Sequence, residues 1–382
     1  MVKRYVTVIC LAVIFVINSP VTVRGSDTDA TTQELVQEIY YAGQYEKVDE
    51  FIEENWSKKI SFTDLIYEII YGEDNIASYV CEYVYDVFLY EIGSIKNTIV
   101  SMLSLIIIFI VFNKITVQGD SYISEVSFFM IYTALMTLLL SAFSVITDVV
   151  VSGITTTLNF LSAIIPAYST TLVLSGKIST ASAFYTFTVA LLYILEWGIK
   201  VIILPAVQIY VVIELINNIY GDKQFSKLSG LVYRGIKFVL KTAIVVVGGI
   251  GCIQAVINSA KDQISESVLL RSVSLIPGVG KVAGASGEIL ISCAMLVKSS
   301  VGIAILCVLL AITLIPIVKV FIFQITYKFM AAILQPVSDN RIVDGIHSIA
   351  CAGELYVNVL VDTMLLFFIS IATVCVTGNM AN

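Results

Sequence analysis

Apolar stretches dominate the chain from about residue 97 to residue 377, at 97–113, 126–147, 149–175, 181–199, 201–219, 238–258, 299–326 and 355–377. Most approach or exceed the ~20 residues with which an α-helix crosses a bilayer. In hydrocarbon each backbone N–H and C=O must be satisfied inside the protein, and a helix does this within one segment. The expectation is an all-α, polytopic helical membrane protein of seven or eight spans. Composition agrees: 58% hydrophobic and 13% charged residues, with a mean hydropathy of +0.93 over 382 residues, exceed what a soluble core of this length buries. The stretch 149–175 is the least regular, because Thr155, Thr156, Thr157, Asn159 and Pro166 fall within it. It reads as a broken or re-entrant helix.

The first residues form a separate unit. Lys3 and Arg4 precede the apolar run Tyr5 to Ile17, followed by Pro20 and small residues up to Gly25. This is the pattern of a secretory signal, residues 1–25, with cleavage expected after Gly25; an uncleaved signal anchor is the alternative. Residues 26–95 then carry sixteen carboxylates against Lys47, Lys58 and Lys59, a formal balance of −13, whereas residues 96–382 total +3. That change of sign marks a domain boundary. Within the acidic segment, Leu35, Val36, Ile39 and Tyr40, then Val48, Phe51 and Ile52, then Leu65, Ile66, Ile69 and Ile70 recur at helical spacing. Ser61 with Asp64 three residues on resembles a capping box, and Gly43 falls where a helix stops. The prediction is a small extracytoplasmic helical domain. About 70 residues give a marginal core, so it should lean on the membrane face or on a partner.

Loop charge supplies an orientation. Lys223, Lys227, Arg234, Lys237 and Lys241 form the densest basic cluster, between the fifth and sixth stretches. With residues 26–95 outside, eight spans put this cluster in the cytoplasm, as the bias of cytoplasmic loops toward Lys and Arg requires. The same count puts Lys114, Lys177, Lys328 and Arg341 inside, and Asp148 and the C-terminus outside.

Charges near or within spans are weighed one by one. Glu196 and Lys200, four apart with Glu first, suit an intrahelical ion pair at an interface. Asp362 lies several residues inside the last apolar stretch and needs a partner, for which Lys298 and Lys319 are the candidates. Such a pair is either a packing device or the wall of a polar conduit. Residues 276–298, with Pro277, Gly278, Gly280, Gly284 and Gly287, look too short and glycine-rich for a span. They suggest a half-helix or re-entrant hairpin, or else an amphipathic surface helix.

Signals for catalysis or cofactors are nearly absent. His347 is the single histidine, no paired-cysteine spacing occurs among the seven cysteines, and Lys281 lacks the glycine spacing and following Ser or Thr of a phosphate loop. No catalytic, cofactor or metal site is expected, and the few basic residues do not make a nucleic-acid surface.

The order of parts, with Ile276-Pro277-Gly278-Val279-Gly280-Lys281, Lys298-x-x-x-Gly302, Ile315-Pro316-Ile317-Val318-Lys319, and Gln335-Pro336 followed by Arg341-Ile342, resembles the stage III sporulation protein AE family of endospore-forming bacteria. The resemblance covers essentially the whole chain. It implies a multi-pass protein of the mother-cell membrane around the forespore, with its N-terminal domain outside the cytoplasm. It also implies a role in the secretion-like channel complex that acts after engulfment. Its partners would be the lipid bilayer and other membrane, ring-forming and ATPase products of the same operon, with self-association left open. The resemblance brings no catalytic residues, so Pro277, Gly278, Gly280, Lys281, Lys298, Gly302, Pro316, Lys319, Pro336 and Arg341, together with Asp362, are signature or candidate functional positions. A stand-alone secondary transporter and a non-conducting scaffold are the alternatives.

Overall fold

The computed structural model describes residues 29–55, 61–71, 121–220, 224–274, 280–336 and 338–377, with single positions at 100, 104 and 107. Among these the regular structure is entirely helical. The expected signal segment, 1–25, and all but those single positions of the stretch 97–113, lie outside the described residues.

Three short helices come first: α1 (Asp29–Gly43), α2 (Glu46–Asn55) and α3 (Phe62–Tyr71). Five rods follow. The first is α4 (Ser121–Leu174). The second is α5 (Ile178–Trp197), which continues through a π-helical segment (Gly198–Ile203) into α6 (Leu204–Tyr220). The others are α7 (Ser226–Ser274), α8 (Gly280–Leu334) and α9 (Asn340–Thr377).

The rods alternate in direction, as cross-rod contacts show. Thr147 and Tyr356 hydroxyls meet at 2.9 Å and Tyr168 meets Cys375 at 3.3 Å, so α4 and α9 run parallel. Gly153 faces Pro316, and Gly302 faces Tyr168, so α8 runs against both. The turn after α4 forms a Schellman motif: Gly176 has φ +77°, its N–H reaches Val173 O at 3.0 Å, and Lys177 N–H reaches Leu172 O at 2.9 Å.

The apolar 18-residue windows of α8 and α9 are 83% and 78% buried, against 17–39% for the other three rods. These two helices are therefore the core of the bundle, and the other rods wrap them. α1 to α3 join the same core at one end. The hydroxyls of Tyr45 and Thr171 meet at 2.7 Å, the rings of Phe51 and Phe160 lie 5.6 Å apart, and α1 and α3 pack against α8. Complete burial pushes the Tyr45 phenol above its ordinary range, so it stays a neutral hydrogen-bonding group. Asp49 ties the short helices together, accepting from the Tyr40 hydroxyl and, at 2.6 Å, from the Phe62 N–H at the start of α3. The described part of the acidic segment thus packs on the long helices of its own chain.

Three sequence expectations change. The stretches 126–147 and 149–175 form one helix, and so do 181–199 and 201–219. Asp148 is therefore within a rod rather than in a loop, and Glu196 pairs with Lys200 at 2.8 Å near the middle of a rod rather than at its end. Residues 280–298 are the first turns of α8, not a separate hairpin or surface helix. Each of the five rods holds a segment of 36–43 residues that is long and apolar enough to cross a membrane.

Candidate functional site

The middle of the bundle is built around a glycine and a proline. A Cβ on Gly153 of α4 would lie 2.6 Å from Pro316 Cβ and 2.7 Å from its Cγ, so only glycine admits the pyrrolidine ring at this approach. Pro316 has no N–H to offer four residues back, and this frees the carbonyl of Ile312 from the helix ladder.

Beside this contact α4 and α8 enclose a cavity of about 450 Å³. Asp148, Ser152 and Thr156 line it from α4; Ile312, Pro316 and Lys319 line it from α8. Asp148 is exposed and has no hydrogen-bond or ion-pair partner among the described residues. Lys319 is half-buried and engaged in an interaction of its own. Asp362 on α9, 4% exposed, is likewise engaged. A carboxylate, two hydroxyls and an ammonium around one hollow can hold water and a small charged solute.

Lys298 belongs elsewhere. It is 1% exposed near the α4–α5 turn, its Nζ has no hydrogen-bond partner among the described residues, and its electrostatic neighbours are Cys375, Lys177 and Asp262. Asp262 caps the start of α5, accepting from the N–H groups of Ser179 (2.8 Å) and Thr180 (3.0 Å). Cys375 is thirteen residues from Asp362 on one helix, or about 20 Å. The expected Lys298–Asp362 pair is therefore not formed. Gly302, one turn after Lys298, fits against Cys375 and Tyr168, since its Cβ would fall 2.2 Å from the sulfur and 2.9 Å from the phenol oxygen.

A second charged group lies on the other side of the cavity from Lys298 and has no local signature in the sequence. Glu354 on α9 accepts from Lys237 at 2.8 Å and from Tyr233 at 2.7 Å, both on α7, and from Lys328 of α8 at 3.0 Å. One carboxylate links three rods. Pro336 lies in the α8–α9 turn, where Asp339 accepts from the Arg341 N–H at 2.9 Å and starts α9. Pro277 and Gly278 lie outside the described residues; Gly280 and Lys281 open α8.

The model of the stage III sporulation protein AE family matches residues 60–378, which span all five rods and every signature position. The chain belongs to that family. The curated stage III sporulation protein AE of Bacillus subtilis (strain 168) is 24% identical over 266 residues, covering 68% of this chain and 66% of the relative, just under two thirds of its length. No solved structure matches. For a stage III sporulation protein AE family member, the family implies a role in sporulation, and the five rods suggest a multi-pass membrane protein.

Proposed function

We propose that this chain is a non-enzymatic membrane component of the channel complex that joins mother cell and forespore after engulfment, working with membrane and ring proteins of the same operon. The supporting observation is a mismatch of length. The apolar rod segments of 36–43 residues are about 55–65 Å long, roughly twice the ~30 Å hydrocarbon thickness of a bilayer. Yet large apolar side chains are exposed near both ends, Phe129 (57%) and Met130 (70%) at one, Leu174 (45%) and Ile178 (64%) at the other. Wherever the bilayer lies, part of this apolar surface extends beyond it and calls for protein cover. A subunit of a larger assembly has that cover.

Charge fits the same reading. The acidic helices α1 to α3 sit at the end of the bundle that holds Lys177 and Lys298, whereas Lys227, Lys237, Lys328 and Arg341 gather at the other. With the basic end in the mother-cell cytoplasm, the acidic helices face the space between the two membranes. A stand-alone transporter is favoured by one feature, the polar cavity midway along the bundle. The uncovered apolar ends speak against it.

Deleting the gene in its host tests the proposal. Development is expected to stop after engulfment, with restoration by a wild-type copy. Mature spores at normal yield from the deletion strain would rule out the role.

A further inference from the structure

The cavity beside Asp148 is the centre of a longer polar face. Ser141, Ser144, Asp148, Ser152, Asn159 and Ser162 all point outward from α4, spaced three, four or seven residues apart, and thus on one side of the helix. Thr155 and Thr156, half-exposed, fill the interval between Ser152 and Asn159. Ser141, Ser144, Asp148 and Ser152 have no hydrogen-bond or ion-pair partner among the described residues. From Ser141 to Ser162 the face extends for about 30 Å.

The membrane-compatible part of α4 runs from Tyr132 to Leu174, 43 residues, and a crossing takes ~20 of them. Any such window overlaps the polar face, so some of it lies at hydrocarbon depth however α4 is set in the bilayer. An unpaired carboxylate and unpaired side-chain amide or hydroxyl groups are costly against lipid. Beside Asp148 the face opens into the 450 Å³ cavity.

We infer that this face of α4 and the adjoining cavity line a water-filled path through the membrane, and that Asp148, the one charge on the face, makes that path favour cations. The inference deepens the channel-component reading and rests on it. Lys319 enters the cavity from α8 but is half-buried and engaged, whereas Asp148 is exposed and unpaired, so the carboxylate sets the sign.

The test uses full-length protein in membranes of sporulating cells with the complex assembled. Single cysteines replace Ser152 and Asn159, and, as apolar exposed controls on α7, Val245 (73%) and Val256 (70%). Modification by a cationic and an anionic methanethiosulfonate of similar size is followed by peptide mass mapping, which separates the new thiols from native ones such as Cys252. S152C and N159C are expected to react at least about tenfold faster than the controls. The cationic reagent should be favoured about tenfold over the anionic one, relative to a free thiol, and Asp148→Asn should remove that preference while reactivity stays. Stripe cysteines as slow as the controls would mean that lipid or another helix, residues 97–113 included, seals the face, and the inference fails. Fast reaction without charge preference, or a preference that survives Asp148→Asn, removes the cation claim. A sealed face in a strain whose development needs the gene sinks the water path alone; normal development without the gene sinks the channel role instead.

Discussion

Glu354→Ala is expected to destabilise the bundle by about 3 kcal/mol, the lower end of the cost of breaking a buried ion pair from one side. The Glu354 side chain is 7% exposed and that of Lys237 19%, so truncation leaves the Lys237 ammonium with little water to replace its partner. Lys328, at 40% exposed, keeps much of its hydration and adds less. Tyr233 also loses the acceptor of its hydroxyl. Because these donors come from α7 and α8 while Glu354 is on α9, the loss should loosen three rods together. Thermal unfolding of the purified protein in detergent should show a clearly lower midpoint, with Glu354→Gln in between, since an amide keeps an acceptor and gives up the charge. A midpoint for Glu354→Ala equal to wild type would mean that the three donors find other partners and that the carboxylate is dispensable.

Gly153→Ala should destabilise the protein by about 1–3 kcal/mol, the usual cost of forcing extra volume into a packed interior. The sign makes the test sharp. In a helix interior alanine is favoured over glycine by about 1 kcal/mol, so a substitution judged by propensity alone would stabilise. Here the new methyl would meet Pro316 at 2.6–2.7 Å, and a proline ring cannot rotate aside, so α4 and α8 must separate. Leu360 of α9, 3.8 Å from the same point, would be drawn in with them. Pro316→Gly in the same chain removes both atoms that the new methyl would meet, so it should recover most of the loss, and the double-mutant cycle should give a coupling of the same order as the single effect. Independent, additive effects would show that the two helices do not meet at this point in the membrane.

The helical class and the apolar rods were legible in the sequence because length and uniform hydropathy decide them. The Glu196–Lys200 pair was legible too, since four-residue spacing on a helix is local information. Continuity of the rods was not. Asp148 and the Glu196–Lys200 pair interrupt apolar runs and so look like ends, but a helix stops where its backbone is broken or capped, not where a charge appears. Asp148 simply occupies the outward face of α4. Pro166 likewise stays inside α4 on an exposed position. Lys298 and Asp362 both interrupt apolar sequence, and only the register of α8 against α9 reveals that they lie at different levels. Glu354 escaped notice because it stands one residue before the last apolar stretch, and nothing in its neighbourhood foretells that Lys237 and Lys328 converge on it. Gly153 and Gly302 are ordinary small residues in sequence. Their use becomes visible only when Pro316 and Cys375 are found against them.

Fusion of the stretches also changes what a count of spans says about sidedness. Removing two apparent crossings leaves the basic cluster after α6 where it was and moves Lys177 to the end that carries the acidic helices. In the proposed orientation the bundle crosses the membrane with its acidic helices outside and its basic end in the cytoplasm. Labelling single cysteines at Glu50 in α2 and Ser226 at the start of α7, both exposed, with a membrane-impermeant thiol reagent tests it most directly. In intact non-sporulating cells producing the full chain in their cell membrane, E50C should react at once and S226C only after the cytoplasm is opened. Labelling of S226C from outside, or labelling of both from the same side, would contradict the account.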